Sequence, residues 1–109
     1  MIEEKTEAAQ KIEEAQHQKR ADASGKPTMH IKVYSPFQVY YDEESYSISG
    51  ENATGPFDIL PRHHNFMTLL EPSVLKIQTA EGQNSERKIR ISGGLMHVKA
   101  DRVTIFLDI

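Results

Sequence analysis

Apolar and polar residues alternate along most of the chain beyond residue 28. In the run Met29-His30-Ile31-Lys32-Val33-Tyr34, Met29, Ile31 and Val33 fall on one side and His30, Lys32 and Tyr34 on the other. That two-residue period predicts a half-buried strand. Ser35-Pro36 interrupts it. Residues 37–41 predict a second strand, closed by an acidic turn at Asp42, Glu43 and Glu44, and Tyr46 with Ile48 marks a third. Residues 50–56 read as turn material. Phe57, Ile59 and Leu60 predict a short strand ended by Pro61, and residues 66–70 another ended by Glu71-Pro72. Residues 74–79 and 86–92 predict two strands joined by a hairpin loop holding Gly82 and Asn84, with Ile89 and Ile91 toward the core. Gly93-Gly94 predicts a tight corner, Leu95, Met96 and Val98 a further strand, Ala100-Asp101 a turn, and Val103, Ile105 and Leu107 the last strand. About nine short strands at this spacing predict an all-β antiparallel sandwich, because each half-apolar sheet must cover one face with another.

The first 28 residues follow another pattern. They hold 5 Lys/Arg and 6 Asp/Glu and no aromatic residue, whereas all 4 Tyr and all 4 Phe lie in residues 29–109. Residues 8–15 are good helix formers, Ala8, Ile12 and Ala15 share a thin helical face, and Glu7 stands four residues before Lys11. So short a helix is marginal alone, and Ser24, Gly25, Lys26 and Pro27 break the pattern. The expected organisation is a helical or disordered polar arm over 1–28 and a β-sandwich over 29–109.

Composition narrows the chemistry. The 109 residues include no Cys and no Trp, and the formal net charge is −3. Without Cys there is no disulfide, thiol nucleophile or all-cysteine zinc site. A net negative chain has no global field for nucleic acid, so no nucleic-acid partner is expected. No apolar run approaches the ~20 residues of a membrane helix, and the charged start lacks the apolar stretch of a secretory signal. Neither membrane insertion nor secretion is expected.

Five histidines, His17, His30, His63, His64 and His97, invite a metal hypothesis. Their spacing matches no zinc or iron site, and the adjacent His63 and His64 would point to opposite faces of a strand. His63 beside Arg62 reads instead as a loop contact to a partner. The Asp42-Glu43-Glu44 run shows no partnered acid for catalysis, and no Ser has a recognisable activating base. Gly93-Gly94 lacks the length and Lys of a phosphate loop and reads as backbone geometry. Arg87, Lys88 and Arg90 form a basic patch without the aromatic set of a nucleic-acid binder. No cofactor, metal or small-molecule ligand is expected, and no catalysis.

The order of these pieces resembles a known family. The run His30-Ile31-Lys32-Val33-Tyr34-Ser35-Pro36, then Tyr40-Tyr41-Asp42, is followed by Gly55-Pro56-Phe57-Asp58-Ile59-Leu60-Pro61-Arg62-His63 and by Phe66-Met67-Thr68-Leu69-Leu70-Glu71-Pro72. Ile91-Ser92-Gly93-Gly94-Leu95-Met96-His97-Val98 and Val103-Thr104-Ile105-Phe106-Leu107-Asp108 complete the set. Residues 29–109 thereby resemble the N-terminal β-sandwich of the F1 ATP synthase epsilon subunit, called delta in mitochondria. Each motif is weak alone; the series in order is specific. The departures are Asp58 where the family has a second Gly, His64-Asn65 where it has Ala-Pro, and Pro72-Ser73 where it has Pro-Gly.

The resemblance implies a two-sheet sandwich of about ten strands. It implies a noncatalytic rotor subunit in the central stalk of a proton- or sodium-translocating F-type ATP synthase, peripheral to the cytoplasmic face of the membrane, binding gamma and the ring of c subunits and coupling rotation to ion translocation. By matched position, Ser35, Arg62, His63 and Thr68 are gamma-facing candidates, and Gly55, Pro56 and Phe57 are c-ring-facing candidates. Phe57, Phe66 and Arg62 are the candidate anchors, with Phe66 equally a core residue. Bacterial members add a C-terminal helical hairpin; this sequence stops at Ile109, where it would begin, so inhibition by that route is not expected. The alternative is a β-sandwich interaction module serving another complex.

Overall fold

The computed structural model describes residues 20–80 and 85–108. The candidate helix at 8–15, the hairpin tip at 81–84 and Ile109 lie outside the described residues. Eight strands follow one another: β1 (Met29–Tyr34), β2 (Val39–Asn52), β3 (Gly55–Ile59), β4 (Phe66–Leu70), β5 (Ser73–Thr79), β6 (Glu86–Ile91), β7 (Gly94–Lys99) and β8 (Arg102–Leu107). They form one curled sheet in the order β4-β7-β8-β1-β2-β5-β6, with β3 paired to β2 off that path. The predicted all-β class is what the described residues adopt. Every pairing is antiparallel except β1 with β8.

The curl comes from β2, 14 residues long. Its first half pairs with β1 and its second with β3, while β5 runs along the other edge. Opposite β5 the register shifts between Ser45 and Ser47. Such a bulge bends a strand and increases its twist, so β2 contributes to both layers. One layer is β4, β7, β8, β1 and the first half of β2; the other is β3, the second half of β2, β5 and β6. Their inward positions fill a single core: Ile31, Val33, Met96, Val98, Val103 and Ile105 meet Ile48, Ile59, Leu75, Ile77 and Ile91. Each such side chain contributes about 1.5–3 kcal/mol when fully buried.

Three local expectations are corrected. Asp42, Glu43 and Glu44 are not a turn: they lie within β2, opposite Lys32, Ile31 and His30 of β1. The strands predicted on either side of them are therefore one, which lowers the strand count to eight among the described residues, and Phe37 stands before β2, almost fully exposed. Gly50, Glu51 and Asn52 continue β2, so the turn of the β2–β3 hairpin is confined to Ala53 and Thr54. Gly50 is sheltered by Phe57, its partner across the ladder; a Cβ built on Gly50 would lie 3.3 Å from the Phe57 ring.

Two turns use unusual backbone. Ala100 and Asp101, between β7 and β8, both have positive φ, 52° and 58°, as a two-residue hairpin turn of matching twist requires. Asp101 is buried: its carboxylate accepts the Arg62 backbone N–H at 2.6 Å and its carbonyl accepts that of His30 at 2.9 Å. At the β6–β7 corner Gly93 has φ +144°.

Residues 20–28 fold back as a small hook on β1 and β2. Ala21 and Pro27 form a bridge, and the Thr28 N–H donates to the Arg20 carbonyl. The Asp22 carboxylate closes the hook by accepting the backbone N–H groups of Ser24 and Lys26 and the Ser24 hydroxyl.

Candidate protein-interaction face

The outward face of the first layer is divided in two. Register places Leu69 beside Leu95, Leu95 beside Phe106, Phe106 beside Tyr34, and Tyr34 beside Val39. These five residues make one apolar row across five strands, about 19 Å long at ordinary strand spacing. Leu69 is 73% exposed, Val39 54%, Leu95 39% and Phe106 38%. The Tyr34 and Phe106 rings meet edge to face at 5.2 Å. Met67, 60% exposed, lies next to the row, and Phe37 stands beyond its Val39 end. At the Leu69 end the row borders an open cleft of about 430 Å³ lined by Leu70, Pro72, Gly93, Gly94 and Asp108 among others. Single exposed apolar residues are ordinary; a contiguous row rimmed by polar groups marks an interaction surface.

The other half of the same face is charged. The successive positions are Asp42, Lys32, Thr104 and His97, then Glu44, His30, Arg102 and Lys99. His30 Nδ1 meets Glu44 Oε2 at 2.8 Å, and its Nε2 meets Asp42. Glu44 also accepts Arg20 Nη1 at 2.9 and 3.1 Å and the Thr28 hydroxyl at 3.1 Å. Burial raises the Glu44 carboxyl, but the bonds from His30, Arg20 and Thr28 outweigh it and leave it below its ordinary value. The Ser24 and Tyr46 hydroxyls, with the hook's backbone N–H groups, hold the Asp22 carboxyl far below the carboxylate range. Tyr46 donates to Asp22 at 2.5 Å, which raises its own phenol, and Lys26 lies over its ring at 4.2 Å.

Most of the candidate contact residues gather around β4 and the start of β3, while Ser35 lies at the far end of β1 from the Arg62–Asp101 contact. His63 and His64 stack with centroids 4.2 Å apart, and Phe66 meets His63 and Phe57 edge to face, each at 5.7 Å. The His63 Nδ1–H donates to the His64 carbonyl. Arg62, with φ 65°, is exposed and held by its backbone bond to Asp101. Thr68 accepts Asn52 Nδ2 at 3.2 Å, which ties β4 to the β2–β3 hairpin. Gly55, φ +125°, has open space where a Cβ would point, and Pro56 is exposed. Phe57 is half-buried, its ring turned onto Gly50 and Phe66. Ser35 is buried at the end of β1; its N–H donates to the Gln38 carbonyl and its hydroxyl accepts the Phe37 N–H. It therefore shapes the turn that presents Phe37 and Val39.

Sequence reasoning missed the apolar row. Its five members come from five strands, and each alone reads as one more alternating apolar position. The available signal was the series of outward apolar residues on β4, β7 and β8, Leu69, Leu95 and Phe106. Among the described residues, no group of three or more His, Asp or Glu converges so as to hold a metal ion.

Residues 28–109 match the family model described as ATP synthase, Delta/Epsilon chain, beta-sandwich domain. ATP synthase epsilon chains of Neisseria meningitidis serogroup C and of an Exiguobacterium species are 33% and 35% identical over 81 residues, 74% of this chain in both cases. The chain spans 57% and 58% of the length of those relatives. Among solved structures, a chain of the Euglena gracilis mitochondrial ATP synthase OSCP/F1/c-ring assembly superposes with a TM-score of 0.68 at 20% identity, covering 73% of this chain and 50% of that one. A chain of the Tetrahymena thermophila mitochondrial ATP synthase central stalk and c-ring gives 0.62 at 22%, covering 75% and 64%. The two structures share the fold, and the family match, spanning three quarters of the sequence in the predicted order, settles the descent: this chain belongs to the delta/epsilon chain family of ATP synthases, through its β-sandwich domain.

Proposed function

We propose that the chain is a noncatalytic central-stalk subunit of a rotary F-type ATP synthase, whose sandwich binds the gamma subunit and the c ring and couples rotation to ion translocation. It would sit peripherally on the cytoplasmic face of the membrane as part of F1. The observation that carries this reading is the exposed apolar row from Val39 to Leu69 in a chain of this family. A partner helix laid along such a row would find continuous apolar contact with Tyr and Phe as anchors. Gamma is that partner in this reading. Ser35 follows Tyr34 at the turn that leads to Val39, Thr68 precedes Leu69 at the other end of the row, and Arg62 and His63 complete the gamma-facing set. Gly55 and the exposed Pro56 at the start of β3 supply the c-ring contact, with the half-buried Phe57 as the support behind them.

Purification of the tagged chain from its own host after gentle membrane solubilisation tests the proposal. Stoichiometric recovery of gamma with alpha, beta and c subunits, identified by mass spectrometry, is the expected result. A different stoichiometric partner, with rotary subunits at background, would overturn it in favour of an interaction module of another complex.

A further inference from the structure

Charge is sorted unequally over this molecule. On the outward face of β2, Asp42 and Glu44 are matched by His30, and Glu44 also by Arg20. The ladder between β5 and β6 shows the reverse. Lys76 of β5 stands directly across from Lys88 of β6. Lys88 and Arg90, two residues apart, share the outward face of β6, and all three side chains are exposed. Like charges directly opposite repel, yet among the described residues none of the three makes an ion pair. Glu86, on the same face, is engaged by Gln78 Nε2 at 3.3 Å. The whole chain carries a net charge of −3, so this positive cluster is not a reflection of composition.

Among the described residues β6 is also the last strand on its side of the sheet and pairs with β5 alone. Its other edge offers backbone donors and acceptors to a further strand. On its inward face Ile91 is buried and Ile89 half-buried, so the edge also has an apolar side. A charged edge blunts unwanted strand pairing, which accounts for a cation on β6. It does not account for Lys76, one strand further in and opposed to Lys88. The cluster extends deeper than edge protection requires.

We infer that the free edge of β6 is a docking site for an acidic, extended polypeptide segment that joins the sheet as an additional strand. Side chains alternate between faces along a strand. The incoming segment therefore carries an acid–apolar–acid pattern: two carboxylates beside Lys88 and Arg90 on the outward face, with Lys76 behind them, and an apolar residue beside Ile89 on the inward face. An anionic membrane surface would use the cations but gain nothing from the free backbone edge, so a polypeptide strand is the better fit. This inference goes beyond the stalk reading and does not depend on it.

The test uses the full chain and a fluorescent peptide of alternating Glu and Val, followed by anisotropy and by backbone amide shifts. Saturable binding, with the largest shifts on β6, is expected, together with a Lys-Val control peptide that does not bind. The double variant Lys88→Glu/Arg90→Glu should weaken binding about tenfold or more, since each cross-strand attraction becomes a repulsion. Lys76→Gln, which relieves the internal repulsion and keeps the fold, should weaken it by a smaller factor. Absence of saturable binding, or binding unchanged in both variants, overturns the inference. So does capture of phosphatidylserine vesicles through these same cations by a chain that ignores the peptide.

Discussion

A β-carbon placed on Gly94 would lie 2.6 Å from the carbonyl oxygen of Phe106. The contact is with backbone, at the end of the β7–β8 ladder, where Gly94 pairs with Leu107 on one side and Leu70 on the other. Neither neighbouring strand can yield without opening the end pairs that Gly94 makes with Leu107 and Leu70. Gly94→Ala is therefore expected to cost about 1–3 kcal/mol, the range of overpacked sites. Urea denaturation with an unchanged slope checks it; a midpoint equal to wild type would contradict the close approach.

The β7–β8 turn gives a paired prediction. Ala100 holds φ 52° against its own Cβ, so Ala100→Gly should stabilise the chain by about 0.5–1 kcal/mol. Asp101→Ala should do the opposite. It strips the acceptor from the Arg62 N–H, at about 1–3 kcal/mol for an unsatisfied partly buried donor. Thermal unfolding of both variants tests the pair, and matching signs would refute the assignment.

The hook makes stability depend on pH. Glu44 is held below its ordinary 4.5 in the folded chain. A carboxyl lowered by folding contributes stability above its unfolded value and loses that contribution as pH falls through the folded one. Asp22 is lowered from 3.8 and has the same sign. Arg20→Ala should therefore be less stable than wild type near neutral pH, by under about 1 kcal/mol because solvent screens the pair. The two denaturation midpoints should converge as pH drops below about 4.5. A difference that persists at pH 2 would mean that Arg20 stabilises the hook other than through the Glu44 carboxylate.

The apolar row predicts a separation of binding from folding. Leu69→Asp and Phe106→Asp place charge on exposed positions and should leave the β circular dichroism unchanged. Both should weaken capture of gamma about tenfold or more if the row is a central part of that contact. Wild-type capture by the double variant would remove the row from the gamma interface.

What the sequence revealed depended on how local each cause was. Strands β1 and β8 were legible because Met29–Tyr34 and Arg102–Leu107 alternate by themselves. The acidic run at residues 42–44 was not, since the partners that permit it in a strand, His30 and Lys32 on β1 and Arg20 in the hook, lie 10 or more residues away. Gly50 misled for a similar reason: its cover is the ring of Phe57, across a hairpin. At the candidate site, His63 and Phe66 are neighbours in sequence and meet in space. The row from Val39 to Leu69 exists only once five strands are in register.

The one parallel pairing, β1 against β8, has a consequence for the order of assembly. It joins β4-β7-β8 to β1-β2-β5-β6, and it connects the first strand to the last. Until Arg102–Leu107 is available, β1 has a single neighbour and the core is open along that seam. Contacts so distant along the chain close slowly. On the ribosome the seam can be sewn only after β8 has emerged, so the sheet completes at its middle, and of the eight described strands the latest is the one that locks the earliest.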